Sequence, residues 1–483
     1  MADAMIPPET GVQRIARRER TYWLAAALLI VLLALGRLWW LPVHAALNVN
    51  EGWNAGQAMR AFNPGPLYPD PAALIANNYP PLSFLIVGLL GQLVGDHIIA
   101  GRILALAAQL ATGAAVWAIV ARLAPGRRWT IVAALLFGGY SATLLRDYIA
   151  INDPQWLGHA AMSWGLFCLL PRSAGDRPAT GYVALAALLM VAGGLIKHNL
   201  VAFPIAATLW LWWYDRRSLI TWLAIGAAFG AIVCAGLLAI WGTTVFTDVL
   251  NPARSYSLVR MLAKGAPLAV AMIPVAIACH PLRAAQRGDR RLALPVLLLA
   301  VSVPIGIVQR SGSGVDINAF FELVIALAIA VPVATAQRAR PSYAWIAISA
   351  LPAVCLVPLA AMQNIEELAG RDAAVRHWAP FIAQVAAAPG PVACDDQAIC
   401  YWAGRASAID FFSVKQRLLH GRAEALAPAL AEGRFAMIQM RGHNPGWQAN
   451  LLIPAIRAHY TPVYRSRDSE LLVPRRDSAR PKR

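Results

Sequence analysis

The sequence predicts a polytopic α-helical membrane protein, a bundle of about eleven transmembrane helices with a small α/β domain outside the membrane. Three observations carry this expectation. The 483 residues are 58% hydrophobic and 14% charged, with mean hydropathy +0.53, outside the usual range of soluble globular chains. Apolar runs of about twenty residues, the length that crosses a hydrocarbon core of about 30 Å, recur from residue 22 to residue 362. From residue 363 hydropathy falls and short strand-like runs replace the long apolar ones.

Taken in order, MADAMIPPETGVQRIARRER (residues 1–21 with Thr21) reads as a cytoplasmic tail. The run after it ends in LGRLWWLP, without the small-residue cleavage site of a signal peptide. Spans are expected at 22–41, 98–121, 129–145, 155–171, 180–196, 198–214, 218–241, 265–282, 292–309, 317–336 and 343–362, so that 22–362 forms one membrane domain. The run PLSFLIVGLLGQLVGD, 81–96, is short and Gly-rich, and either spans or lies in the interface. The positive-inside rule separates the two. With 81–96 in the interface, the tail and the loops ARLAPGRR, PRSAGDRP, YDRR, RAAQRGDRR and QRARP share the cytoplasmic side and hold 17 arginines. If it spans, every later loop changes sides. The interfacial reading places 42–97, 146–154, the Lys197 turn, 242–264, 310–316 and everything after 362 outside, in a bacterial-type inner membrane. A basic polytopic protein usually holds its Lys and Arg in cytoplasmic loops and tails, so the net charge of +17 does not by itself point to nucleic acid. No basic stripe interleaved with aromatics points to nucleic acid.

Residues 363–474 are long enough for an extracytoplasmic α/β domain, with strands in PVACDD and FAMIQM and a possible hairpin in TPVYRSRDSELLVP. RRDSARPKR, 475–483, reads as a disordered basic tail, and no internal repeat is visible. Cys168, Cys234, Cys279 and Cys355 fall in spans as small packing residues. Cys394 and Cys400, in CDDQAIC, lie where an oxidising compartment permits a disulfide; the alternative is two unpaired thiols. No His sits nearby at a metal-ligand spacing.

Residues with chemical potential gather in the outer segments. The first loop, NVNEGWNAGQAMRAFNPGPLYP followed by ANNYPPLSFL, is poor in charge, so Glu51 and Arg60 stand out among Asn48, Asn50, Asn54, Asn77 and Asn78. Trp53, Tyr68 and Tyr79 offer flat faces for a sugar or for the headgroup layer. An aromatic belt explains the rings, not the amides. The next outer turn, RDYIAINDPQW, holds Arg146, Asp147, Asn152 and Asp153, and Asp153 before Pro154 also fits a helix cap. In GGLIKHNLVAFP, Lys197, His198 and Asn199 separate two short apolar runs near the level of lipid phosphates, where snorkelling is the plainer reading of the lysine. Arg254, Arg260 and Arg310 are further outer cations, suited to phosphate by the guanidinium fork. Asp316, Asn318 and Glu322 follow in GVDINAFFE, and Glu322, inside an apolar run, needs a partner in the bundle interior.

These motifs, in this order, resemble the GT-C superfamily of polyprenyl-phosphate-sugar-dependent glycosyltransferases, which contains protein O-mannosyltransferases, lipid A aminoarabinose transferases and mycobacterial mannosyl- and arabinosyltransferases. The matching elements are NEGWNAGQA after the first span, LYP and NYPPLSF, Gly101 and Arg102 opening the next span, NDPQ, KHN and GVDINAFFE, covering most of 22–340. The resemblance implies a GT-C-like bundle with interfacial helices in the first loop and an inverting transfer to an extracytoplasmic hydroxyl. An acid of the first loop takes the acceptor proton as polyprenyl phosphate leaves. The family's Asp-Glu pair falls on Asn50 and Glu51, so Glu51 inherits the base role, with Asp153 as helper or reserve. Lys197, His198, Arg254, Arg260 and Arg310 are expected to hold the donor phosphate. Asn50, Trp53, Asn54, Tyr79, Asn152, Asn318 and Glu322 are expected to bind sugar or acceptor. No cofactor and no metal is expected: phosphate leaves with its charge already present, and the outer loops carry no DxD-like motif. The expected partners are membrane lipid, the lipid-linked donor and a lipid, glycan or protein acceptor. A transporter or flippase of an anionic lipid-linked glycan is the alternative, using the same cations without bond cleavage. It calls for ionisable groups through the depth of the membrane, whereas these cluster on the outer side.

Overall fold

Each apolar run carries a helix in the computed structural model, which describes residues 11–63, 66–70, 72–250, 252–421, 425–442, 452–466 and 468–475. The terminal segments 1–10 and 476–483, including nearly all of the expected basic tail, lie outside the described residues. The membrane part consists of α1 (Gly11–Trp39), α2 (Asn50–Arg60), α3 (Leu82–Val94), α4 (His97–Leu123), α5 (Arg127–Ala142), α6 (Gln155–Leu169), α7 (Thr180–Ile196), α8 (Ala202–Tyr214), α9 (Arg216–Trp241), α10 (Thr244–Leu250), α11 (Leu258–Cys279), α12 (Pro281–Ala285), α13 (Ala293–Gln309), α14 (Phe321–Ala336), α15 (Ala344–Cys355) and α16 (Val357–Ala386).

Among the described residues six helices are long and apolar enough to cross a membrane, seven if the bent pair α15 and α16 is one span. The chain is a multi-pass membrane protein. The difference from the expected eleven lies in α5 to α8. Of these, α8 has 13 residues, because residues 198–201 leave the helix that the apolar run 198–214 suggested. At about 1.5 Å per residue it reaches roughly 20 Å. The first-loop helix α3, also of 13 residues, is equally short.

The apolar periodicity explains which helix is central. In α14 every residue from Phe321 to Thr335 is buried. A helix apolar on all sides belongs inside a bundle, and α14 packs against α4, α5, α11 and α13. By contrast α9 buries only Ser218 and Trp222.

The drop in hydropathy at 363 falls inside α16, which continues without a break to Ala386. A change of composition is not a change of backbone; the sheet begins after that helix. Its strands β1 (Val392–Cys394), β2 (Met437–Arg441), β3 (Tyr460–Arg465) and β4 (Ser469–Pro474) stand in the order β1-β2-β4-β3. The first pair is parallel, the others antiparallel, and β3 with β4 forms the hairpin expected in TPVYRSRDSELLVP. Helices α17 (Gln397–Trp402), α18 (Phe411–Leu419), α19 (Leu426–Ala431) and α20 (Ile453–His459) complete this part, around a core that includes Val414, Phe435, Ile438 and Leu472. It meets the first loop where α17 packs on α2. Gly52 permits the approach, because a Cβ there would overlap the backbone nitrogen of Ala398.

Candidate functional site

The first-loop carboxylate is the anchor of the region. Glu51 is fully buried near the start of α2 and faces Arg102, also fully buried, near the start of α4. Arg102 Nε and Nη2 donate to Glu51 Oε1 and Oε2, both at 2.7 Å. The amides of Leu47 and Asn152 donate to the same two oxygens, at 2.8 and 3.0 Å. The rest of the guanidinium donates to the carbonyls of Trp40, Val43 and Ala45 at 2.8 to 2.9 Å. A charged pair buried this completely holds only when its remaining donors and lone pairs are met, and here they fasten residues 40–47 and 152 to two helices. Arg102 stood out in the sequence only as part of the GR motif; nothing in its local pattern names Glu51 as partner.

Beside this anchor lies a cavity of about 380 Å³. Asn48, Asn50, Trp53, Asn78 and Tyr79 come to it from the first loop, and Tyr148 from the second. The connection between α10 and α11 adds Arg254, α11 adds Lys264, and the segment between α13 and α14 adds Asp316 and Asn318. The wall opposite these cations belongs to the sheet domain, through Asp395, Gln397, Asp410, Phe411, Phe412 and Arg441. The cavity thus lies between the membrane helices and the sheet domain, with Arg254, Lys264 and Asp316 from the former and Asp395, Asp410 and Arg441 from the latter.

Trp53 bridges the two. Its ring meets Tyr79 edge-on at 5.2 Å, and its Nε1 donates to Asp410 Oδ2 at 3.1 Å. Asp410 also caps α18, accepting from the backbone and hydroxyl of Ser413 at 3.1 and 2.7 Å. Burial pushes its pKa up, against the lowering effect of those bonds. On the same wall Arg441 grips Asp395 with two bonds of 3.0 and 3.1 Å. Asp316 is the open carboxylate: its side chain is 57% exposed, with Arg310 at 3.6 Å.

Several of the residues singled out in the sequence do not line this cavity. Glu51 is enclosed and is not part of the cavity wall. Asp153 accepts from the amide of Gln155 at 2.8 Å, as a cap should, and pairs with buried Lys197 at 3.3 Å. That lysine lies 5.0 Å from the Tyr79 ring, behind the wall that the ring forms. His198 is not on the cavity wall. Arg260 donates to the Ser311 carbonyl at 2.7 Å and Arg310 to that of Val315 at 2.9 Å, so both shape the 310–316 turn. Asn54 and Asn152 are tied to each other and to the Glu51 backbone. Glu322 finds its partner in the backbone amide of Ala202 at 3.0 Å, at the start of α8, and does not reach the cavity. Of the expected set, Asn50, Trp53, Tyr79, Arg254 and Asn318 do. Cys394 and Cys400 are joined in a disulfide, with Cα atoms 5.9 Å apart. Lys264, Asp395, Asp410 and Arg441 were not singled out by sequence, and only Asp410, three residues before Ser413, carries a local signal, that of a helix cap.

Next to Asp395, the buried Asp396 caps α17, and burial raises its pKa from 3.8 to about 7 despite Arg441 and the Ala398 amide. Between about pH 4 and 7 the folded state therefore keeps a proton that the unfolded chain releases, so stability falls as pH rises through that window. Asp396→Asn, which retains the capping oxygen, is expected to raise the melting temperature at pH 8 and to change it little at pH 4.

No protein-family model matches the sequence, and no curated protein sequence matches it. Solved structures do. ArnT from Cupriavidus metallidurans in the apo state superposes with TM-score 0.57 and 14% identity, covering 97% of this chain and all of that one. The same protein bound to undecaprenyl phosphate gives TM-score 0.56 and 15% identity over 95% of this chain. An oligosaccharyltransferase of Archaeoglobus fulgidus superposes more loosely, at 0.49 and 11% identity over 86% of this chain and 69% of that one. The chain therefore has the fold of ArnT over nearly its whole length.

Proposed function

We propose that the protein is a membrane glycosyltransferase that moves a sugar from a polyprenyl-phosphate donor to an acceptor hydroxyl outside the cytoplasm of a bacterial-type cell. The observation that carries the reading is the cavity that brings Arg254 and Lys264 together with amides, rings and carboxylates, in the fold of a protein solved with undecaprenyl phosphate. Two outer cations beside apolar helices suit a phosphate whose tail stays in lipid. Trp53, Tyr79, Asn50, Asn78 and Asn318 suit the sugar.

The proton must go to a carboxylate within reach of the acceptor. Asp316 meets that condition, as an exposed acid on the cavity wall, and Glu51 is assigned the role of fixing α2 and the first loop. The acceptor oxygen attacks the anomeric carbon from the face opposite the phosphate. The carbon–oxygen bond to phosphate breaks, polyprenyl phosphate departs with the bonding pair, and the hydroxyl proton passes to Asp316. The product is inverted at that carbon.

Charge-assisted hydrogen bonds are worth about 1.5–3 kcal/mol. Arg254→Ala is therefore expected to weaken undecaprenyl phosphate binding by roughly 10- to 100-fold in the purified protein, measured by titration in detergent. Unchanged affinity would remove Arg254 from the phosphate site.

A further inference from the structure

The segment between Cys394 and Cys400 does two things at once. Asp395 and Gln397 face the cavity, while Ala398 is buried with Ala55 and Ile98 under α2 and α4. The disulfide closes this loop at its base. Its near end is held by Asp396, whose amide donates to Gln439 Oε1 at 2.9 Å. Its far end is held by Trp402, whose Nε1 donates to Asp96 Oδ2 at 2.9 Å. Gly52 lets the backbone at Gln397 and Ala398 rest directly on α2.

We propose that this disulfide-closed loop is the acceptor wall of the cavity, shaped for a polyhydroxylated, glycan-type acceptor, and that the bridge and Gly52 hold it there. The proposal rests on the transferase reading for the word acceptor. Its chemistry is local: the Asp395 carboxylate, the Gln397 amide and nearby Asp410 offer acceptors and donors to sugar hydroxyls, and Phe411 and Phe412 offer faces for sugar C–H groups. Gln397 is a binding residue in this account; Cys394, Cys400 and Gly52 are positioning residues.

The test is photo-crosslinking in cells that make the full chain, with Gln397→p-benzoylphenylalanine at the wall and Glu432→p-benzoylphenylalanine as an exposed control on the same part. The expected result is a light-dependent, saccharide-containing adduct at 397 and none at 432. Its yield should fall on the order of tenfold after dithiothreitol, since misplacing a binding wall by about 1 Å carries losses of that order or more. Cys394→Ser with Cys400→Ser should give the same loss without reductant, which separates the bridge from the other cysteines. Equal adducts at both positions, an adduct of polyprenyl phosphate alone, or a yield indifferent to reduction would each overturn the proposal. Undecaprenyl phosphate titration of the purified protein separates the two readings. If it binds and position 397 yields nothing, the wall is wrong; if it does not bind and a glycan adduct remains, the donor reading is wrong and the wall stands.

Discussion

Arg102→Ala is expected to destabilise the protein by about 3–5 kcal/mol, the cost of breaking a fully buried ion pair by removing one partner. The substitution leaves Glu51 charged, enclosed and facing only the amides of Leu47 and Asn152. It also releases the carbonyls of Trp40, Val43 and Ala45, which hold the first loop in its turn. Glu51→Gln should cost less, because Arg102 keeps those carbonyls and gains a neutral oxygen in place of a charged one. The order of effects, read as melting temperatures in detergent with undecaprenyl phosphate binding measured in parallel, is Arg102→Ala well below Glu51→Gln, and Glu51→Gln below wild type. If Glu51→Gln melts and binds like wild type yet loses transfer by a hundredfold, Glu51 is the base and its anchoring role is secondary.

Asp316→Asn is expected to lower the rate of sugar transfer by about 10²- to 10⁴-fold, the usual worth of a positioned general base, without a matching loss of stability. The side chain is more than half exposed, and its one ion pair, to Arg310 at 3.6 Å, is of the surface type that contributes about 0–1 kcal/mol. Donor affinity should stay within a few-fold of wild type, since Arg254 and Lys264 are untouched. A variant that transfers at the normal rate would send the base assignment to Asp410 or Asp395 on the opposite wall.

What the sequence makes visible follows the range over which each force acts. Helix positions were legible because membrane crossing requires long apolar runs, and the β3–β4 hairpin was legible because alternation and a turn lie within one short stretch. Helix ends were less so. Residues 198–201 break away from the apolar run expected over 198–214, which shortens α8. The change of composition at 363 falls within α16, which passes from apolar to polar without changing its backbone. In the site, the types of residue were legible and their partners were not. Glu51 and Arg102 are 51 positions apart and Trp53 and Asp410 are 357 apart, so no local pattern links them.

The most direct measurement is the fate of a polyprenyl-phosphate sugar given to the purified protein in liposomes, with the sugar labelled and extracted envelope glycans supplied outside. The account predicts that label moves to the glycans, that undecaprenyl phosphate is released in equal amount, and that Asp316→Asn slows both together. Passage of the intact lipid-linked sugar across the bilayer, with no cleavage and no change in Asp316→Asn, would contradict it and identify a transporter.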